Sequence, residues 1–283
     1  MKIGLLNVFQ ESTARPGPFA QAVEQLGFES LWVPEHPILP VDPKTPFPAG
    51  GPIPEVYSHM SDQFICLAMA AATTTRLKLA TGITLVPEHN PIVAAKQIAT
   101  LDHFSGGRVI YGIGAGWLRE ESEIMGVDFP RRWTQTAEYV AAMRELWTKP
   151  EASFAGKYVN FPAVKSYPKP AQSGGPPVLI GSRDKNALKR VAKWGDGWFP
   201  NRVTPDDMAR DLATLRDECN AIGRDFSKLD ITVMGGIPGD RAAVQAELAR
   251  FVETGVGRFV LALGALTPSD YQVRLERTAS LYI

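Results

Sequence analysis

The stretch Arg108-Val109-Ile110-Tyr111-Gly112-Ile113-Gly114-Ala115-Gly116-Trp117 decides how the rest of this chain is read. A short β-like run opens into glycines at alternate positions, then an aromatic residue, then the acidic segment Leu118 to Met125. Alternate residues of a strand share one side, so these glycines strip that side and let backbone approach a flat ligand closely. The pattern points to a planar cofactor. It is a poor dinucleotide fingerprint, because the spacing G-x-G-x-G lacks the third glycine at the required offset and three β/α units precede it.

Working outward from this run, strand-like and helix-like segments alternate. Strands are predicted at Ile3 to Phe9, Ser30 to Val33, Leu77 to Leu85, Arg108 to Ile113, Pro177 to Ile180, Gly197 to Pro200, Leu229 to Met234 and Arg258 to Leu263. Helices are predicted at Phe19 to Leu26, Ser61 to Thr73, Pro91 to Phe104, Arg132 to Thr148, Asp184 to Trp194, Pro205 to Ile222, Arg241 to Val252 and Pro268 to Leu281. Pro91 suits the first helical position, and Gly27 and Gly195 suit helix ends. A small hairpin is expected inside an insertion, Pro150 to Pro176, after the fourth unit. The proline-rich stretch Pro34 to Val56 is too long for a plain connector and reads as a lid or binding loop. Alternating units fit a doubly wound sheet or a closed barrel. Eight units favour a (β/α)8 TIM barrel, here one domain over 1–283 with its chemistry at the strand C-termini.

Composition narrows the function. Apolar residues make up 45% and charged residues 21%, as in globular proteins. Formal net charge is zero, so no electrostatic footprint points to nucleic acid or an anionic membrane. No run approaches a membrane span in length. Without a secretory signal, the two cysteines, Cys66 and Cys219, are read as reduced and the protein as cytoplasmic. Cys219 lies on the apolar stripe Met208, Leu212, Leu215, Cys219, Ile222 and is expected to be buried. No metal-ligand spacing and no G-x-S-x-G elbow is present.

Candidate site residues follow the strands. Glu35-His36 comes directly after the second, where an imidazole could move a proton or orient a ring. His89, after the third, is a weaker candidate, and His59 and His103 read as helix-side residues. Gly82, in Thr81-Gly82-Ile83-Thr84, marks a bulge or a packing glycine. Gly181-Ser182-Arg183, before a helix, could cradle a phosphate. Gly235-Gly236 and Gly264 occupy the positions where many barrels hold one instead, so the phosphate position stays open.

Taken together, several segments resemble the bacterial-luciferase-like superfamily of flavin and deazaflavin oxidoreductases. They are Leu31 to His36, Ala80 to Pro87, Ala95 to Asp102, Gly106 to Val109, Gly112 to Glu121, Tyr167 to Pro170 and Gly195 to Trp198. The Gly-Ala-Gly-Trp-Leu-Arg-Glu-Glu segment resembles the subgroup dependent on coenzyme F420, a deazaflavin. The resemblance implies hydride transfer between F420 and a small organic substrate. It makes His36 the acid/base or the group that polarises the ring, with Glu35 assisting through a hydrogen bond. It implies a cis peptide at Gly82-Ile83 behind the ring, with Thr84 beside it. Gly114, Ala115, Gly116 and Trp117 would contact the ring or ribityl chain, and Gly181, Ser182 and Arg183 the phosphate. Sugar-phosphate dehydrogenases of the superfamily carry a glutamate where this chain has Trp117, which argues against a sugar-phosphate substrate. The family tendency is a homodimer. Two alternatives share the fold: an FMN-dependent two-component monooxygenase that consumes oxygen, and a non-catalytic flavin-binding protein. Trp117, Trp198 and Phe199 are expected either to line an apolar pocket or, for the last two, to fill the barrel.

Overall fold

Strands β1 (Lys2–Asn7), β2 (Ser30–Val33), β3 (Lys78–Thr81), β4 (Val109–Gly114), β5 (Val178–Ile180), β6 (Gly197–Trp198), β7 (Asp230–Gly235) and β8 (Arg258–Gly264) pair in parallel, each with the next. β8 returns to β1, with Ile3 opposite Phe259 and Leu5 opposite Leu261. The computed structural model, which describes residues 1–283, is thus a closed eight-stranded parallel barrel with helices between strands, a (β/α)8 TIM barrel. Strands buried on both sides need apolar residues throughout, which is why they read as short continuous apolar runs.

Two apolar layers hold it together. Leu6, Trp32, Ala80, Ile110, Leu179, Phe199 and Val260 fill the barrel interior. The larger cluster lies between barrel and helices and contains Trp198, so of the paired aromatics only Phe199 points inward. At the N-terminal end of the barrel, the buried Arg258 guanidinium donates to Glu29 at 2.9 Å and to Asp230 at 2.7 Å, tying β8 to β7 and to the start of β2.

Helix ends follow local chemistry. Asp62 accepts from Ile65 N, Asn90 accepts from Ile92 N and Val93 N ahead of Pro91, and Thr204 and Asp207 form a reciprocal cap. Gly27 has φ +89° at the end of the first helix, as its sequence position requires.

The departures from the sequence-based expectations are local. The single strand expected over Leu77 to Leu85 is interrupted: β3 ends at Thr81 and Thr84–Leu85 resumes pairing against Ile113 and Gly114, the break falling at Gly82-Ile83, which is a cis peptide as the family resemblance implied. Leu118 to Met125, read only as acidic, contains a short helix, Arg119–Ile124. The helix expected from Asp184 begins at Ala187, because Asp184 accepts from Ser182 Oγ and Asn186 N and holds a turn there. Between the helix Arg132–Thr148 and β5, strands Ala152–Ala155 and Asn160–Val164 form a separate antiparallel pair. The turn joining them is fixed by Glu138, which accepts from Lys157 N and Val159 N. Both cysteines are free and buried, but Ile222 leaves the stripe and is 58% exposed. No helix is long and apolar enough to cross a membrane.

Candidate active site

The C-terminal ends of the strands surround a cavity of about 200 Å3. β2 delivers Pro34, Glu35 and His36 to it, the break after β3 delivers Gly82 and Ile83, and β5 delivers Gly181 and Ser182. Phe199 and Asn201 follow β6, Met234 lies near the end of β7, Tyr57 comes from the short 3-10 helix Glu55–His59 with Met60 just after it, and Trp117 comes from a loop. No lysine or arginine borders it.

His36 is the most constrained polar group there. Its Nδ1 is 2.7 Å from Glu121 Oε2, and both residues are buried. Trp117 Nε1 lies 3.2 Å from His36 Nε2. An indole N–H can only donate, so Nε2 accepts and the imidazole proton sits on Nδ1, where Glu121 receives it. The rings of His36 and Tyr57 are 4.9 Å apart.

Glu35 does not support His36 by hydrogen bonding, as the sequence led one to expect. One carboxylate oxygen accepts from Leu85 N at 2.7 Å, and the other meets His89 Nε2 at 2.7 Å. It clamps the end of β2 to the segment after β3, and His89, a weak candidate from sequence, is its partner. Burial opposes protonation of His89, but Glu35 outweighs it and raises the His89 pKa. Behind Trp117, Ser122 Oγ donates to Glu88 Oε1 at 2.8 Å. Burial, then the charge of Glu121, pushes Glu88 up to about 8.

The glycines that opened the sequence reading serve protein packing first. A Cβ on Gly112 would sit 2.1 Å from Thr81 O, and one on Gly114 would sit 2.1 Å from Ile83 Cδ1. A Cβ on Gly181 would lie 2.7 Å from Ile83 Cγ2. The missing side chains therefore make a slot for Ile83, which itself borders the cavity. Gly116 adopts φ +83°, with Glu88 Oε1 3.0 Å from where its Cβ would be.

Of the residues singled out from sequence, Glu35, His36, Gly82, Ile83, Trp117, Gly181 and Ser182 come together around the cavity. Gly114, Ala115, Gly116 and Thr84 stand behind it, Thr84 donating to Gln63 Oε1 at 3.2 Å. Arg183 turns away, donating to Arg202 O at 3.1 Å with Asp211 3.6 Å off. A second recess of about 580 Å3 lies beyond β7, lined by Arg202, Thr204, Gly235 and Gly236 among others. Trp198 is outside the cavity, its Nε1 donating to Ser182 O. Asn201 and Met234 could have been found by their positions at strand ends, whereas nothing in the sequence marked Tyr57, Met60 or Glu88.

The loop after β2 lies against this site. Phe47 packs 5.6 Å from the Trp117 ring and 5.4 Å from Tyr57. Lys44 N, Thr45 N and Thr45 Oγ1 all donate to Glu120 on the short helix.

A parallel barrel whose buried, oriented histidine sits at the strand C-termini is the architecture of a small-molecule enzyme. The chain belongs to the luciferase-like monooxygenase family, whose profile it matches over residues 9–278. It is 36% identical to an uncharacterized protein of Mycobacterium tuberculosis, over 99% of this chain and 98% of the relative. It is 29% identical to the F420-dependent glucose-6-phosphate dehydrogenase of Kineococcus radiotolerans, over 82% of this chain and 66% of that protein. Among solved structures it resembles the coenzyme F420 dependent tetrahydromethanopterin reductase of Methanopyrus kandleri, with a TM-score of 0.77 at 18% identity, covering 100% of this chain and 99% of that one.

Proposed function

We propose that the protein is an F420-dependent oxidoreductase that transfers a hydride to or from a small, uncharged organic substrate. The observation that carries this reading is His36, held at the cavity with its Nδ1 proton committed to Glu121 and its Nε2 lone pair directed to Trp117. The F420-dependent relatives support the choice of cofactor.

The residues present fit a flat group with a polar edge. Ile83, Leu85, Phe199, Met234 and Trp117 offer apolar surface, while Ser182 and Asn201 bring polar atoms. When bound, a deazaflavin supplies two-electron hydride chemistry that no side chain can. The chain's own work is then to orient, to exclude water and to manage a proton. Ile83, backed by the slot at Gly114 and Gly181, gives a rigid apolar contact. Phe47 and Tyr57 close the side next to His36, and the Glu120 contacts hold Phe47's loop down. His36 Nε2 takes a proton from a substrate hydroxyl or returns it to a carbonyl, with the substrate taking the place of the Trp117 N–H, and Glu121 keeps the ring in the tautomer whose Nε2 carries no hydrogen.

Because no cation borders the cavity, a phosphorylated substrate would find no counter-charge there. Alcohols, ketones and other neutral compounds suit it better than sugar phosphates. The test is turnover of F420 with a panel of neutral alcohols and ketones beside a sugar phosphate. The reading expects turnover with a neutral compound, and His36→Ala to lower kcat about 100-fold or more while cofactor affinity stays within about twofold. Turnover with the sugar phosphate alone would overturn the substrate class, and full activity of His36→Ala would remove His36 from the reaction.

A further inference from the structure

Two buried carboxyl groups stand behind His36, and hydride transfer by itself requires neither. Glu121 is fully buried and accepts the Nδ1 proton of His36 through Oε2 at 2.7 Å, leaving Oε1 buried without a partner. Glu88 is 6% exposed and accepts from Ser122 Oγ through Oε1, leaving Oε2 buried without a partner. Glu35 and His89, paired with each other, also face Glu88. These groups do not converge as a metal site.

The two carboxyls are not equivalent. An ionised carboxylate in an apolar setting needs strong donors, and Glu121 has the imidazole N–H. Glu88 has a single hydroxyl donor and the charge of Glu121 near it. Two adjacent buried carboxylates cannot both ionise cheaply, so the one with the weaker donor keeps its proton. Glu88 Oε2 and Glu121 Oε1 are both buried without a partner, and a proton kept on Glu88 spares its oxygen an uncompensated charge.

We propose that Glu121 is the positioning residue for His36 and that Glu88 is its protonated counterpart, so that the two carboxyls behind the cavity carry one negative charge between them. The helix Arg119–Ile124 then has a purpose: it brings Glu121 to His36 and Ser122 to Glu88 on adjacent residues. Gly116 is part of the same device, since a side chain there would intrude on both Ser122 Oγ and Glu88 Oε1. By keeping its proton, Glu88 spares the pocket a second buried charge beside Glu121. The kinetic consequence rests on the deazaflavin reading above, whereas the charge arrangement stands without it.

The experiment follows carboxyl-13C glutamate resonances against pH in the full-length protein without cofactor. The wild type is expected to show one glutamate titrating near 8, absent in Glu88→Gln. That step should fall by about one pH unit or more in Glu121→Gln, which removes the neighbouring charge. It should rise in Ser122→Ala, which removes the donor to the ionised form, so either variant decides the matter if the other fails to fold. Ring 15N shifts should show His36 as the Nδ1–H tautomer in the wild type. No glutamate titrating above about pH 6, or a step unmoved in both variants, would overturn the proposal. With F420, Glu121→Gln should lose about tenfold in kcat at unchanged cofactor affinity, with partial recovery in Glu121→Asp. An unimpaired kcat in Glu121→Gln would refute the positioning role. Failure of any cofactor to bind would sink the proposed function and leave the titration result intact.

Discussion

Replacing Glu88 by Gln should make the protein markedly less sensitive to rising pH. Glu88 is 6% exposed, and its pKa is raised from the ordinary 4.5 to about 8, first by burial and then by Glu121. The sign follows from proton linkage. Between these two values the folded protein holds a proton that the unfolded chain has released, so the stabilisation is complete below about pH 4.5 and is lost as pH climbs through about 8. Each unit of difference is worth about 1.4 kcal/mol, which gives roughly 3–5 kcal/mol over the window. Gln cannot ionise and still accepts from Ser122, so Glu88→Gln should resemble the wild type near pH 5 apart from a cost of about 1 kcal/mol. At about 2–4 °C per kcal/mol, the melting temperature of the variant relative to wild type should rise by roughly 6–20 °C between about pH 5 and pH 8.5. Thermal melts of both proteins across a pH series, at fixed ionic strength and scan rate, measure it. A difference between the two that stays within about 2 °C over the whole range would show that Glu88 ionises normally.

Other perturbations probe the scaffold and the loop. Gly114→Ala puts a methyl into the space of Ile83 Cδ1 and should destabilise by about 1–3 kcal/mol with weaker cofactor binding. Adding Ile83→Ala should relieve the clash, and strict additivity in chemical denaturation would refute the slot. Arg258→Ala leaves Glu29 and Asp230 facing each other at the barrel's N-terminal end and should cost roughly 3–5 kcal/mol in urea unfolding. Cofactor affinity should not change, because the site is at the opposite end of the strands. Glu120→Ala releases Lys44 and Thr45 and should raise the substrate KM severalfold and speed limited proteolysis within residues 37–54. Unchanged cleavage there would mean that the loop is held by Phe47 alone.

The barrel was legible because parallel strands buried on both sides leave continuous apolar runs, and eight of them alternated with helices. The place of His36 at the cavity was legible because the residues just after the strands line that end of the barrel. Its partner was not. Glu35 is adjacent in sequence, but side chains of successive residues point apart, and Glu35 leaves for Leu85 and His89 while Glu121 arrives from 85 residues away. The alternating glycines were read as making room for a flat ligand, and what fills the space at Gly114 is the side chain of Ile83. That depended on the break in the strand expected over Leu77 to Leu85, which apolar periodicity cannot register. Glu88, which stands beside His89 after the third strand and carried no sequence signal of its own, became notable only once the fold buried it.

The central claim is that this site takes a deazaflavin, and the most direct test is a binding titration of the purified protein. Oxidised F420 and, separately, FMN would be added while tryptophan fluorescence is followed, since Trp117 borders the cavity. The account expects saturable quenching by F420 at micromolar concentration, weak response to FMN, and loss of most of the signal in Trp117→Phe. Tight binding of FMN with none of F420 would contradict it and favour an oxygen-consuming FMN enzyme on the same barrel. Binding of neither would leave the barrel without the cofactor proposed for it.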